Sequence, residues 1–337
     1  LSVVQLAVIS WQLKDLCKNR QIFGKSVGLT ENVYFCGVKT TRAMIQERYI
    51  NPCTDFGFKK LFNSEPNKDL LISFLNALLS DQPNIVDISY LPIEHFGSYG
   101  SRRAIFDVYC QTEAGTKFIV EMQNVYQQFF KDRSIFYTTF PIQEQAKAGE
   151  DWNFELKDVY TVGLLNFAFH DGKTPDNCYR TEVKLMDTKT KEVFYDKLTL
   201  IYIELPKFTK QEGELETMMD KWLFLLKNMS RLFDRPQALQ ERVFKKAFEQ
   251  AEIALFTPDE QRGYQDSVKA YRDINNAIVT AKKEGKAEGI LEGKAEGLLE
   301  GGRKKAFEIA RNLKKAGMDA VVIQSTTGLT MNEIDSL

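Results

Sequence analysis

Two short segments that are rich in β-branched and aromatic residues constrain the fold of this chain more than any other feature. They cover residues 104–110 and 117–123, and isolated polar positions interrupt both of them. Segments of this length and composition are typical of β-strands. Residues 113–116, which include a glycine, separate the two segments as a turn, so the sequence predicts a β-hairpin.

The predicted hairpin carries polar side chains that can meet on one face. Residues i and i+2 of a strand point to the same side, so Glu121 and Gln123 share a face, and the hairpin can place Asp107 opposite them. Two carboxylates on neighbouring strands commonly hold Mg²⁺, which prefers hard oxygen ligands and keeps several waters for a phosphate substrate. On spacing alone, both carboxylates also fit the solvated surface of a half-buried strand.

The order Asp107, thirteen intervening residues, Glu121-x-Gln123 resembles the motif of the PD-(D/E)xK nuclease superfamily. In that motif an Asp and an E-x-K pair occupy adjacent strands of a small sheet. Gln123 stands where the usual Lys would be. A Gln lacks the charge that would stabilise a phosphorane, but it can orient a water or hydrogen-bond a phosphate oxygen. We therefore expect Gln123 to be a catalytic residue that positions the attacking water.

Three further segments are similar to the recombination-promoting nuclease and transposase family, a branch of this superfamily that uses E-x-Q. They are residues 48–62, which contain D-F-G-F-K-K, residues 132–145, and the Gly-Lys-Ala-Glu-Gly repeats near the end of the chain. The resemblance covers roughly residues 44–337. It implies an α/β fold with a restriction-endonuclease-like αβββαβ core, in which helices flank a mixed central sheet, followed by an all-α C-terminal region.

The resemblance also implies a function. It is that of a Mg²⁺-dependent DNA endonuclease, with Mn²⁺ as a substitute ion, that hydrolyses phosphodiester bonds with low sequence specificity and promotes recombination. Asp107 and Glu121 would bind the metal. Asp55 matches the family's early acidic residue. Thr54 or Asp55 can also cap the first helix, so capping explains Asp55 equally well, and both roles can hold together. The candidate DNA-binding residues are Lys59, Lys60, Arg102, Arg103, Lys131, Arg133 and Tyr137. Each lysine and arginine in this set would equally fit a solvated surface charge.

Two interpretations from other functional classes compete with an active enzyme. Because Gln123 weakens the catalytic set, the chain could be a catalytically weak or inactive nuclease-fold module that binds DNA or protein. Glycines recur every four residues from Gly285 to Gly301, each preceded by Glu, so the chain could instead be a helical protein that assembles through its C-terminal helices into a homo-oligomer. The same repeat also fits a flexible, solvated spacer, because each Gly costs a helix about 1 kcal/mol.

Periodicity predicts the other elements of the core. Apolar residues at helical spacing predict helices over 67–80 and 128–148, the second with Phe129, Ile135, Phe136 and Phe140 facing inward. Runs that are rich in β-branched and aromatic residues predict strands at 85–94, 158–169, 178–187 and 193–205.

The composition predicts five regions along the chain. Residues 1–43 lack a consistent period and precede Met44, so we expect a non-native or disordered extension there. The last region, residues 303–337, suggests a helix-turn-helix, but its final helix is acidic, which favours a small packing motif. The remaining regions are a nuclease-like core at 44–206, a helical region at 207–283, a Gly/Glu repeat helix or spacer at 284–302, and a small helical tail at 303–337.

Composition excludes several functional classes. The net charge of −1 provides no global basic field, so any DNA contact must come from a local patch. Five widely spaced cysteines without a C-x-x-C pair predict neither a zinc site nor a disulfide framework, and they fit a reducing cytoplasm. Two histidines exclude a histidine-rich metal site. The longest apolar runs are too short to span a bilayer, so we expect no membrane partner.

Overall fold

The computed structural model describes residues 32–35, 38–41, 47–95, 104–146, 153–169, 172, 175 and 177–337. The chain divides into two units, residues 1–46 and 47–337. In the first unit, strands β1 (Asn32–Phe35) and β2 (Val38–Thr41) pair antiparallel. Most of residues 1–43 lie outside the described part, so their interpretation as an extension stays a prediction.

A mixed sheet of six strands forms the centre of the second unit, with the strand order β3–β6–β7–β8–β10–β9. Strands β7, β8 and β10 run parallel to one another, and the other neighbours are antiparallel. Two short strands, β4 and β5, form a separate pair. The strands are β3 (Ile88–Tyr90), β4 (Glu94–His95), β5 (Ala104–Ile105), β6 (Val108–Thr112), β7 (Lys117–Gln123), β8 (Val159–Leu165), β9 (Arg180–Met186) and β10 (Val193–Glu204).

Helices flank this sheet, so the predicted α/β fold with a mixed central sheet and a helical C-terminal region is confirmed. The α-helices are α1 (Asp55–Phe62), α2 (Lys68–Leu78), α3 (Phe130–Gln143), α4 (Met218–Asn228), α5 (Arg242–Ala251), α6 (Pro258–Lys315), α7 (Ala320–Thr327) and α8 (Met331–Asp335). Short 3-10 helices cover Glu65–Asn67, Leu205–Lys207, Glu212–Glu214, Met229–Arg231 and Ile253–Leu255.

The predicted hairpin is present as β6 and β7, with Val108 opposite Val120. The single strand predicted at 85–94 is instead two short strands, β3 and the start of β4. Pro92 lies between them and has no backbone N–H to donate, so a continuous ladder is interrupted there.

The two faces of the sheet are covered differently. On the first face, Phe118, Val120 and Met122 of β7 join the main core, to which α1, α2, α4 and α5 contribute. The buried Trp222 ring of α4 lies 5.6 Å from Phe62 and 5.0 Å from Phe244, measured between ring centroids. The helical region after residue 206 therefore shares one core with the sheet and the first two helices.

Helix α3 covers the second face, but not with the side chains that the sequence predicted. Phe129, Ile135 and Phe136 are exposed, and Phe140 is only partly buried. Small side chains suit this face because bulky rings of the sheet already fill it. The Thr138 hydroxyl donates to the Ile135 carbonyl within the helix, and the Ser134 hydroxyl bonds to the Tyr202 hydroxyl of the sheet. The residues of α3 that face the sheet are Phe130, Ser134, Thr138 and Pro141.

One helix of 58 residues, α6, dominates the C-terminal part. The glycine repeat is helical and exposed along its whole length, and the predicted boundaries at 283/284 and 302/303 fall inside this helix. Beyond α6, the tail folds back so that Ala310, Ile323, Leu329 and Ile334 form a small core of their own. None of the described helices is both long and apolar enough to cross a membrane.

Candidate active site

Asp107 and Glu121 meet where β6 begins and β7 nears its end. The register of the hairpin places them across from each other. The backbone N–H of Asp107 donates to Glu121 Oε1 at 3.2 Å, and the backbone N–H of Met122 donates to Asp107 Oδ2 at 2.8 Å. Each carboxylate therefore accepts a bond from the partner strand, which fixes both side chains relative to the sheet.

Asp107 lies directly before β6, whereas the sequence predicts that it lies on the first strand of the hairpin. Its side chain accepts the Met122 N–H, which a regular ladder would give to a backbone carbonyl. Its own carbonyl accepts a bond from Asn63 Nδ2 at 2.9 Å. At Asp107, bonds to its own side chain and from Asn63 thus take the place of backbone bonds between strands. The strand is therefore interrupted between β5 and β6.

Burial makes the ionised state of this pair unfavourable. Glu121 is 4% exposed, and burial, followed by the charge of Asp107, raises the pKa of Glu121 to about 8. Burial also raises the pKa of Asp107, although the bond from Met122 and the charge of Lys59 act in the opposite direction. Two adjacent carboxylates, one buried and one half-buried, with raised pKa values favour a cation between them.

Arg133 of α3 is the nearest cation to Glu121 among the described residues. Its Nη2 lies 3.7 Å from Glu121 Oε2, and its Nη1 donates to Gln127 Oε1 at 2.8 Å. The guanidinium also lies 5.3 Å from the centroid of the Tyr137 ring. Arg133 Nε is itself buried and has no hydrogen-bond partner within the described part of the chain.

Gln123 contacts one member of the carboxylate pair, Glu121, directly. Its Nε2 donates to Glu121 Oε2 at 3.1 Å, as expected for side chains that share one face of a strand. The amide therefore orients the same oxygen that faces Arg133. This contact explains how a neutral residue at position 123 still belongs to the site.

Helix α1 places two opposite charges beside the pair. Asp55 is its first residue, but Thr54 is the cap, because the Thr54 hydroxyl accepts the N–H of Gly57 at 3.1 Å. Of the two residues that the sequence offers as caps, Thr54 is confirmed, and the capping explanation for Asp55 is wrong. Lys59 Nζ lies 2.7 Å from Asp55 Oδ1, and the pKa of Asp107 responds to both charges.

The other candidate DNA-binding residues are placed unequally. Lys60 forms an ion pair with Glu260 of α6 and lies 5.0 Å from the centroid of the Phe256 ring, which directs it away from the carboxylates. Lys131 Nζ lies 4.6 Å from the centroid of the Phe169 ring. Arg102 and Arg103 lie outside the described residues, so their roles stay predictions.

Sequence reasoning missed the asparagines that support the site. The Asn166 N–H donates to the Gln123 carbonyl at 2.8 Å, and Asn166 Nδ2 donates to the Tyr271 hydroxyl of α6 at 3.0 Å. Asn63, which bonds to Asp107, follows α1 directly. Each of these asparagines lies just after a strand or helix, but nothing in their spacing connects them with the E-x-Q segment.

The donor set fits a divalent cation that keeps part of its water. Asp107 and Glu121 offer hard carboxylate oxygens from adjacent strands, and burial has removed the water that would otherwise stabilise their charges. Within the described residues, no group of three or more His, Cys, Asp or Glu side chains could hold a metal ion. Water and a phosphate oxygen would therefore complete a coordination sphere that begins with two carboxylates.

Comparison with known families agrees with this geometry. Residues 52–281, about two thirds of the chain, match the sequence model of a family described as PD-(D/E)XK nuclease family transposase. The chain belongs to the PD-(D/E)XK nuclease family transposases. The match includes Asp55, both carboxylates and the part of α6 that contacts the core. No curated protein and no solved structure matches the chain significantly.

Membership supports a nuclease or transposase-type function and implies a DNA substrate. PD-(D/E)XK nucleases usually use divalent metals. The resemblance that the sequence suggested is therefore confirmed at the level of the family.

Proposed function

We propose that this chain is a Mg²⁺-dependent DNA endonuclease that hydrolyses phosphodiester bonds with low sequence specificity, and that Mn²⁺ can replace Mg²⁺. One observation carries the proposal: the buried Glu121 and the half-buried Asp107 lie side by side, and each carboxylate accepts a backbone N–H from across the hairpin. Placing two acidic groups together out of water costs stability, and such pairs are typical of functional sites, where a ligand or metal offsets the cost. Metal binding by a nuclease supplies that function.

Each residue of the site has a role in this proposal. Asp107 and Glu121 would hold the metal, which would lower the pKa of a bound water and stabilise charge on the phosphate. Gln123 already orients Glu121, and its amide would also position the attacking water. Arg133 would donate to a phosphate oxygen, because its guanidinium faces the pair from α3.

Local cations supply the DNA contacts in this proposal. Lys59 and Arg133 flank the carboxylates, Lys131 lies on the same helix as Arg133, and Asp55 would contribute to the site through Lys59. Contacts of this kind go to phosphates and carry no sequence information, which fits low specificity. Strand breaks made in this way would promote recombination. The free cysteines Cys53, Cys110 and Cys178 fit an enzyme that works in the reducing cytoplasm.

The direct test is cleavage of supercoiled plasmid by the purified protein with Mg²⁺, with Mn²⁺ and with EDTA. We expect nicking with either metal, none with EDTA, and a loss of more than about 100-fold for Asp107→Asn or Glu121→Gln. Both changes preserve side-chain shape. Glu113→Gln, in the exposed turn of the same hairpin, is the matched control and should cut like the parent. Metal-independent nicking, or full activity of Asp107→Asn, would contradict the proposal.

The inactive-module interpretation makes a different prediction in the same assay. A nuclease fold that only binds DNA would retard plasmid in a gel without cutting it, with or without metal. Binding that persists equally in the parent and in Asp107→Asn, with no cleavage in either, would favour this interpretation.

A second proposal concerns self-association through the C-terminal helices. Ile290, Leu291, Leu298 and Leu299 are exposed apolar residues of α6 within the glycine repeat, and α6 has no described neighbour there. We propose that a second copy of the chain covers them. Light scattering tests this in the full chain: Leu298→Gln with Leu299→Gln should shift an oligomer to monomer, whereas Lys286→Gln with Lys294→Gln should not. A monomeric parent would contradict the proposal.

A further inference from the structure

Helix α3 carries an exposed aromatic surface, which consists of Phe129, directly before the helix, and Phe136 on it. Phe129 is 67% exposed and Phe136 is 41% exposed. The Phe136 ring is held in place, because it packs edge-on against Phe140 with the centroids 5.2 Å apart. Exposed rings that are grouped on one side of a helix form an apolar patch, and such patches commonly mark interaction sites. The aromatic surface is therefore a candidate binding surface.

The position of this surface connects it to the candidate active site. Arg133 lies four residues after Phe129 and three residues before Phe136, and residues at these spacings are neighbours on one side of a helix. The guanidinium of Arg133 reaches Glu121 at 3.7 Å. One exposed ring thus lies about one turn to either side of the side chain that contacts the carboxylates.

The charges around the aromatic surface favour an anionic occupant. Arg133 and Lys131 belong to the same stretch, and both lie over aromatic rings, at 5.4 Å from Phe130 and 4.6 Å from Phe169 respectively. Asp132 is the acidic residue between them. Rings interleaved with cations are the usual surface for a nucleic-acid strand, where bases stack on the rings and phosphates contact the cations.

We propose that the aromatic surface stacks unpaired nucleobases on both sides of the scissile phosphate, so that the substrate class is single-stranded or locally unpaired DNA. This inference rests on the nuclease function proposed above and specifies its substrate. In a duplex each base already stacks on its neighbours, so its face becomes available to a protein ring only at the cost of unstacking. An exposed Phe beside a phosphate-cleaving site is therefore useful for DNA that offers a free base face.

The experiment measures binding and cleavage separately. The binding probes are a fluorescent single-stranded oligonucleotide and the matching duplex, each titrated with protein in EDTA so that no cleavage occurs. The cleavage substrates are the same two DNAs with Mg²⁺. The variants are Phe129→Ala and Phe136→Ala, alone and together. The matched control is Phe194→Ala, because Phe194 is 81% exposed and lies at the opposite end of β10 from the site.

We expect Phe129→Ala and Phe136→Ala each to weaken single-strand binding by about 5- to 100-fold, as loss of one stacked base does, and to leave duplex binding within about two-fold. Single-strand cleavage should fall in parallel. Phe129→Trp should restore both, because Trp offers a larger ring. Both residues are exposed, so the variants should keep the melting temperature of the parent.

Several outcomes would overturn the inference. Unchanged single-strand binding in the double variant would show that the rings do not stack on bases. Equal weakening for single strand and duplex would show that they only shape the phosphate contacts. A shift from dimer to monomer in the double variant, without loss of DNA binding, would show that a second copy covers the surface.

These outcomes are separable from those of the nuclease proposal. If the parent nicks plasmid and Asp107→Asn does not, the nuclease function stands whatever the aromatic variants do. If the parent cuts nothing with any metal but binds single strands through Phe129 and Phe136, the nuclease function fails and the stacking surface stands.

Discussion

The two faces of strand β7 differ in what they are made of and in what they do. Phe118, Val120 and Met122 point into an apolar core that four helices close. On the other face, Ile119 is apolar, but Glu121 and Gln123 follow it toward the end of the strand, where α3 presents small and charged side chains. Side chains alternate along a strand, so one segment of seven residues supports both the core and the site.

The comparison suggests that stability and activity can be changed separately by choosing alternate positions of one strand. A change on the apolar face should affect folding, and a change on the polar face should affect chemistry. The predictions below test this separation, starting with the largest expected effect.

Removing a ring from the apolar face should have the largest effect on stability. Phe118 is buried and stacks on Tyr160 at 5.1 Å between ring centroids. Phe118→Ala should lower the free energy of unfolding by about 3–5 kcal/mol, because it removes apolar contacts and leaves a cavity. Urea denaturation measures this. At temperatures where the variant is folded, its cleavage rate should stay within a few-fold of the parent, and a specific loss of activity would break the separation.

Changing Gln123, at the end of the polar face, should reduce the cleavage rate and leave the stability of the fold nearly unchanged. Gln123→Ala should slow cleavage on the order of 10²–10³-fold, because it removes one oriented donor from the site. The free energy of unfolding should change by less than about 0.5 kcal/mol. Initial rates at saturating Mg²⁺ measure the first quantity, and urea denaturation measures the second.

Gln123→Lys refines the same prediction. A lysine restores the superfamily pattern and can hydrogen-bond the same oxygen, so measurable activity should remain. Metal affinity should change little in either variant, because both carboxylates are kept. Equal cleavage by Gln123→Ala and the parent would show that Gln123 is only a surface residue of the strand.

Ionisation of Glu121 on the polar face should also lower the stability of the metal-free fold as pH rises. The pKa of Glu121 is raised from 4.5 to about 8, so the folded state holds this proton more tightly than the unfolded state does. Stability in EDTA should therefore fall as pH increases from about 4.5 to about 8. Glu121→Gln removes this titration.

The gain in stability of Glu121→Gln over the parent should thus be small at pH 5 and reach a few kcal/mol at pH 8. Thermal unfolding in EDTA at both pH values measures it. Glu113→Gln, in the exposed turn, should show no such pH-dependent difference. A gain that is larger at pH 5 would mean that Glu121 is ionised more easily in the fold than in the unfolded chain.

The smallest effect should come from the contact between α3 and the sheet. The Ser134 and Tyr202 hydroxyls hydrogen-bond at 2.6 Å. Ser134→Ala would deprive the buried Tyr202 hydroxyl of this bond and should destabilise the fold by about 1–2 kcal/mol. Thr139→Ala, which removes an exposed hydroxyl of the same helix, should cost less than about 0.5 kcal/mol. Equal costs would show that the helix does not rely on this contact.

Local patterns in the sequence were sufficient to predict the hairpin. Two β-rich segments around a glycine-containing turn determine their own pairing, and the pairing brings Asp107 and Glu121 together. The polar contacts between Gln123 and Glu121 also follow from a spacing of two residues in a strand. These features depend on neighbours in sequence, which the pattern contains.

The orientation of α3 could not be predicted in the same way, because two helical stripes coexist in its sequence. One stripe is aromatic and includes Phe129 and Phe136, and the other includes Phe130, Ser134 and Thr138. Hydrophobicity favours the first stripe, but the space left by the rings of the sheet favours the second. Only the packed sheet contains that information, and the same holds for the long-range bonds of Asn166.

The length of α6 has a mechanical consequence. At 1.5 Å per residue its 58 residues extend for about 87 Å, and the last 44, after Tyr271, account for about 66 Å. A change of about 5° in the direction of the helix at Tyr271 would displace its far end by about 6 Å. Tyr271 is bonded to Asn166, which is bonded to the Gln123 carbonyl. A rotation of α6 at this point would therefore appear at its tip as a displacement that a pair of fluorophores could measure.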